Sequence, residues 1–308
     1  MLKEVRKIKK GIVRITSTNE RWYVRSIKNT KTGLAEHTYY PSSTWISSYY
    51  PKGVYFHKWL AGKGWSEIES IKQSAADRGS KVHYACEDID KGKEIKITDK
   101  YLNPSTHQKE ELSKEEVDCI ISYRDFLDEV RPVLLAQEIT SFGDVYAGTA
   151  DKIFRIGSPP TNFGDAIGNS NKKSKATLHL NRGKLTSNAK ISGGQVWIVD
   201  LKTSQSIWPE HELQISSYSH MHFDYKKMDI TEKEWQKRKL AILQIGYKKN
   251  RKGYKFTEVQ DKYHLFRNVA YKIWKNENPD IKPKERDYPS IIFSKFRREN
   301  LKKKKLIK

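Results

Sequence analysis

Cysteine is nearly absent: Cys86 and Cys119 are the only two in 308 residues. Two are too few for a disulfide framework, a four-cysteine zinc site or a cluster-binding set, and they fit a reducing compartment such as the cytoplasm. Long apolar runs are missing as well. No stretch approaches the roughly 18 apolar residues of a membrane helix, and the charged start of the chain has no apolar centre, so neither a span nor a secretory leader is expected. No GxxxxGK[ST] phosphate loop occurs, so the chain is not expected to unwind DNA by itself. Acids are outnumbered: 37 Asp and Glu face 59 Lys and Arg, a formal net charge of +22. So basic a chain is expected to meet a polyanion, nucleic acid first. Charge names a class of partner but no chemistry.

Chemistry first shows in residues 195–204, QVWIVDLKTS. Val196, Trp197, Ile198, Val199 and Leu201 form a β-branched and aromatic run, the pattern of a strand covered on both faces. Asp200 and Lys202 interrupt it with opposite charges. Side chains alternate along a strand, so residues two apart project from one face and converge on one small volume. Charges there are costly unless they are paired or bound to metal. A structural Asp–Lys pair at a strand end is the plain alternative.

Around this strand the chain reads as alternating short elements. Residues 12–15, 21–27 and 38–40 are expected strands of a small N-terminal sheet, split by turn-formers. Ser42 or Ser43 caps a helix toward Tyr49, and residues 65–89 read as a long helix that carries Arg78 and His83. His83 lies one turn before Glu87, which is placed to orient its ring. The plain reading of a lone helical histidine is a packed or solvated residue. Residues 91–112 read as a surface loop, and Ser113 with Glu116 forms a capping box ahead of a helix closed by Pro132. Strands follow at 133–141, with Glu138, and 145–156, where Asp151 sits among Ala147, Ala150, Ile153 and Phe154.

Residues 157–194, rich in Ser, Asn, Gly and Lys, read as a flexible basic insertion that either contacts DNA or is a solvated loop. A helix over 209–225 puts Gln214 and Tyr218 on one face, and a hairpin over 239–260 precedes a last amphipathic helix. The expected organisation is a β-rich extension over 1–50, a core over 51–278 containing the insertion, and a basic tail over 279–308.

In this order, Arg78-Gly-x-x-Val-His83, Ala147-Gly-Thr-Ala-Asp151, Val199-Asp-Leu-Lys-Thr-Ser204 and Gln214-x-x-x-Tyr218 resemble four motifs of one family. They are similar to the histidine helix, GxxD acid, DxKTS core and QxxxY helix of the RecB-like branch of the PD-(D/E)XK nuclease superfamily. Pro41-Ser-Ser-Thr44 with Trp59 resembles the stretch upstream of that histidine in phage-type and mitochondrial genome maintenance exonuclease-type members. The resemblance covers residues 38–275.

It implies an α/β, restriction-endonuclease-like core: a central mixed β-sheet flanked by helices, preceded here by the small N-terminal β-rich extension. It also implies a divalent-metal-dependent DNA nuclease, such as a phage-encoded or DNA repair and recombination enzyme. The expected activity is that of an exonuclease on single-stranded DNA or DNA ends. A structure- or sequence-specific endonuclease, or an inactive DNA-binding protein of recombination or packaging, is the alternative. Mg²⁺ or Mn²⁺ would be held by His83, Asp151, Asp200 and the Leu201 carbonyl, with Lys202, Asp200 and Asp151 catalytic. Gln214, Tyr218 and Arg78 would face the substrate, and Glu138 and Glu87 would support the ligands. The insertion exceeds the short hairpin usual in the branch, and the cysteines of its cluster-bearing members are missing.

Overall fold

A computed structural model describes residues 4–17, 19–28, 35–157 and 194–284. The basic insertion, apart from its two end residues, and the tail from residue 285 onward lie outside the described residues.

The chain forms two compact units, Met1–Pro41 with Asp280–Lys308, and Ser42–Pro279. The first is an antiparallel sheet of β1 (Glu4–Lys9), β2 (Ile12–Thr16), β3 (Arg21–Lys28) and β4 (Ala35–Pro41), in that order. Its charged sequence does not announce β1. The strand forms by pairing with β2 across a tight turn in which Gly11 takes φ +74°, a conformation that glycine adopts without strain. The Lys284 amide donates to both Glu20 carboxylate oxygens at 3.0 and 3.1 Å, which ties the start of the tail to this unit.

The second unit opens with α1 (Ser43–Ser48), α2 (Val54–Lys63) and α3 (Trp65–Asp90). A small hairpin of β5 (Lys100–Leu102) and β6 (Lys109–Glu111) stands where a plain loop is expected. Asn103 closes it: its Oδ1 accepts the Ser105 amide at 2.9 Å, the side-chain turn that asparagine favours. Then come α4 (Lys114–Val130), β7 (Val133–Phe142), β8 (Ala147–Ile156), β9 (Gln195–Lys202), α5 (Pro209–Ser219) and α6 (Glu232–Gln236). The unit ends with β10 (Lys239–Ile245), β11 (Tyr254–Val259), and α7 (Tyr263–Leu265), which runs through a π turn into α8 (Tyr271–Glu277). The capping box forms as the sequence predicts, with the Glu116 amide 3.3 Å from Ser113 Oγ and the Ser113 amide 2.7 Å from Glu116 Oε2. Helix α5 stops at Ser219, short of the expected Tyr225, where the His222 amide turns aside to donate to the Phe142 carbonyl at 2.8 Å.

The five-stranded sheet runs β11-β10-β9-β8-β7, and every pair is antiparallel except β9 with β10, which α5 and α6 connect. The architecture is mixed α/β, with helices flanking a sheet of mixed strand orientation. Val82 and Cys86 of α3 and Tyr123 and Phe126 of α4 bury one face against Phe154, Trp197, Val199, Leu201 and Leu243. Truncating the fully buried Phe126 to alanine costs about 3–5 kcal/mol on this account. The first boundary falls at 41/42 rather than 50/51, because Ser42 bridges to Ala147 of β8 and α1 packs on α5 with Ile46 and Ser47 buried. The second falls at 279/280 rather than 278/279. Among the described residues no helix is long and apolar enough to cross a membrane.

Candidate metal and catalytic site

Strands β8 and β9 part inside the sheet. Their ladder ends at Lys152↔Val199, while β9 stays paired to β10 as far as Lys202↔Gln244 and β8 to β7 as far as Ala147↔Phe142. One more register step would set Asp151 against Asp200, so the two acids face each other across a fork. The fork deprives Leu201 of its ladder partner on the β8 side, and a buried peptide group must be satisfied. Its N–H donates to Asp151 Oδ2 at 2.8 Å, and its carbonyl lies 3.0 Å from His83 Nε2.

A carbonyl only accepts, so His83 Nε2 carries the proton and Nδ1, 3.8 Å from Asp151 Oδ2, offers its lone pair. Burial lowers the His83 pKa from its ordinary value; Asp151 opposes this and Lys202 reinforces it. The ring is therefore neutral near pH 7, the form that binds metal.

Glu138 completes the cluster. The pairs Gln137↔Lys152 and Ile139↔Ala150 place it opposite Asp151 across the β7–β8 ladder. Its φ of 49° is left-handed, which costs an ordinary side chain about 1–2 kcal/mol and tends to collect at functional sites. A ligand atom from each of His83, Glu138 and Asp151 lies within 4.8 Å of the others.

Asp200 is fully buried, and burial pushes its carboxyl up to about 7, with Lys202 pulling it down and Asp151 pushing it further up. Lys202 Nζ is 2.6 Å from Asp200 Oδ2, and no group donates to Oδ1 among the described residues. The one partner of this buried carboxylate among them is therefore the Lys202 ammonium. A buried carboxylate with one oxygen unengaged, beside carboxylates and one imidazole, is a donor set that suits Mg²⁺ or Mn²⁺.

Lys202 Nζ also donates to Gln214 Oε1 at 3.4 Å, and Gln214 Nε2 to the Tyr218 hydroxyl at 2.6 Å. Gly148 lets α1 and α5 approach β8 this closely. A Cβ there would stand 2.8 Å from both Ser43 Oγ and Tyr218 Cε1. On the other face of β8, the buried Lys152 pairs with Asp90 and donates to Gln137 Oε1 at 2.9 Å, and the Tyr123 hydroxyl binds Asp90 at 2.9 Å.

His83, Glu138, Asp151, Asp200, Leu201, Lys202, Gln214 and Tyr218 thus form one connected group. Two expected members stand apart. Glu87 does not orient the His83 ring: its carboxylate pairs with Lys91 Nζ at 3.3 Å, and the Leu201 carbonyl takes that task. Arg78 is held by Glu115 at 2.8 Å, and Glu115 is shared with Lys248 at 3.1 Å. His211 is a member the sequence reading missed. Burial, then Lys202 and Lys52, push its pKa down to about 3, and its Nδ1 accepts the Trp208 amide at 3.3 Å. Its place three residues before Gln214, on the same face of α5, was the available signal.

Comparison of the chain with family models, curated proteins and solved structures finds no match in any of the three.

Proposed function

We propose that the chain is a divalent-metal-dependent DNA nuclease that hydrolyses phosphodiester bonds, built on a restriction-endonuclease-like core of the RecB-like PD-(D/E)XK type. One observation carries the reading: Asp151 and Asp200 face each other at a strand fork, with Lys202 on one acid and a neutral His83 beside the other. His83, Glu138, Asp151, Asp200 and the Leu201 carbonyl would hold Mg²⁺ or Mn²⁺. Such an ion supplies acidity to a bound water and offsets charge on the leaving oxygen. Lys202 would orient an attacking water and offset phosphate charge. Gln214 and Tyr218, linked to Lys202 by hydrogen bonds, hold the scissile strand.

The test incubates purified protein with end-labelled linear and with circular DNA, single- and double-stranded, in Mg²⁺, Mn²⁺ or EDTA. The expected result is metal-dependent degradation of linear single strands from an end, with circles spared. Nicked or linearised circles replace the exonuclease reading with an endonuclease, and binding without cleavage in either metal leaves only the DNA-binding reading.

A further inference from the structure

Lys152 points to the face of β8 opposite Asp151 and forms an ion pair with Asp90, the two side chains being only 2% and 3% exposed. Two further groups join them. Lys152 Nζ donates to Gln137 Oε1 at 2.9 Å, and the Tyr123 hydroxyl reaches both Asp90 carboxylate oxygens at 2.9 Å. The ammonium also lies 5.8 Å from the centre of the Tyr123 ring. A buried pair of this kind is a weak source of stability, because each ion gives up its hydration and apolar groups of similar size often serve as well. It is better suited to fixing position. Hydrogen-bonded partners must meet at set distances and angles, whereas apolar contact has no preferred direction.

The positions it fixes are those of the candidate ligands. Lys152 follows Asp151 on β8, and Gln137 precedes Glu138 on β7. Asp90 ends α3, seven residues beyond His83, which is about two turns along the same face of the helix. Each of the three ligand-bearing elements thus supplies one ligand to the cluster and one member to the buried network. Val82, Ala85 and Cys86 also pack α3 on the sheet, but these apolar contacts leave the helix freer to slide or turn.

We infer that Lys152, Asp90, Gln137 and Tyr123 are positioning residues: they lock α3, β7 and β8 together and so hold His83, Glu138 and Asp151 within reach of one ion. The ion rests on the metal-site reading above; the locking of His83 against the fork does not.

The test uses full-length protein in which Asp90→Leu and Lys152→Met are combined, so that no buried charge is left alone. One readout, taken without metal, is the ring-nitrogen spectrum of His83, assigned with His83→Gln. Wild type should show the Nε2–H tautomer that the Leu201 carbonyl selects. The other is Mn²⁺ affinity by calorimetry without DNA. The double variant should show an averaged His83 tautomer and an Mn²⁺ affinity lower by about tenfold or more, as expected for residues that support metal ligands. Tyr123→Phe removes one hydroxyl, keeps its ring in the core, and should move both readouts the same way by less; it decides the matter if the double variant fails to fold. Ile156→Ala is the control: it opens a cavity in the same core at the end of β8 remote from the fork, and should leave both readouts as in wild type. Wild-type readouts in the network variants, or equal changes in Ile156→Ala, overturn the proposal. A wild-type protein that binds no Mn²⁺, while the network variants still average the His83 signal, loses the metal site and keeps the positioning network.

Discussion

Asp151 accepts the backbone N–H of Leu201 at 2.8 Å, so one carboxylate both braces the strand fork and faces the candidate metal ligands. The two tasks separate by substitution. Asp151→Asn keeps an acceptor for the Leu201 amide, whereas Asp151→Ala leaves that buried donor unpaired, at a cost of about 1–3 kcal/mol. Both variants should lose cleavage, and only the alanine should lose that stability in urea denaturation with EDTA. Equal stability of the two would show that the hydrogen bond does not hold the fork.

Asp200→Ala and Lys202→Ala should each abolish cleavage while DNA affinity changes by less than about tenfold, or 1.4 kcal/mol. The ground is their contact at 2.6 Å on a buried strand face. Near-normal turnover of end-labelled DNA by either variant would remove them from the chemistry.

His83→Ala removes the single nitrogen donor of the cluster, leaving oxygen donors alone. Activity should fall and the preference should move from Mn²⁺ toward Mg²⁺, since imidazole favours the softer ion. Calorimetric titration of Mn²⁺ reads the same change without turnover. An unaltered metal ratio at full activity returns His83 to a purely structural bond with the Leu201 carbonyl.

His211 should make the fold acid-sensitive. Its folded pKa, about 3, lies below the ordinary 6.5, so between those values the unfolded chain binds the extra proton. The stability that His211 contributes is present above about 6.5 and is lost as pH falls toward 3, by at most about 1.4 kcal/mol per pH unit. His211→Gln keeps an acceptor for the Trp208 amide and should flatten that slope in melts between pH 6.5 and 4. The same slope in wild type and variant would assign the sensitivity elsewhere.

Strand alternation by itself puts Asp200 and Lys202 on one face, helical spacing puts Gln214 beside Tyr218, and the Ser113 and Glu116 pair caps α4. Each of these is set within a few residues, where local geometry is the same in any fold. Tertiary structure alone decided the rest. The fork arises because β8 and β9, separated in sequence by residues 157–194, stop pairing at Lys152 and Val199, and no local pattern encodes where a ladder ends. That ending exposes the Leu201 peptide, draws His83 away from Glu87, and brings a left-handed Glu138 opposite Asp151. Glu87 illustrates the limit: its spacing from His83 on α3 is right, but Lys91 lies equally near along the helix and, with its opposite charge, takes the carboxylate.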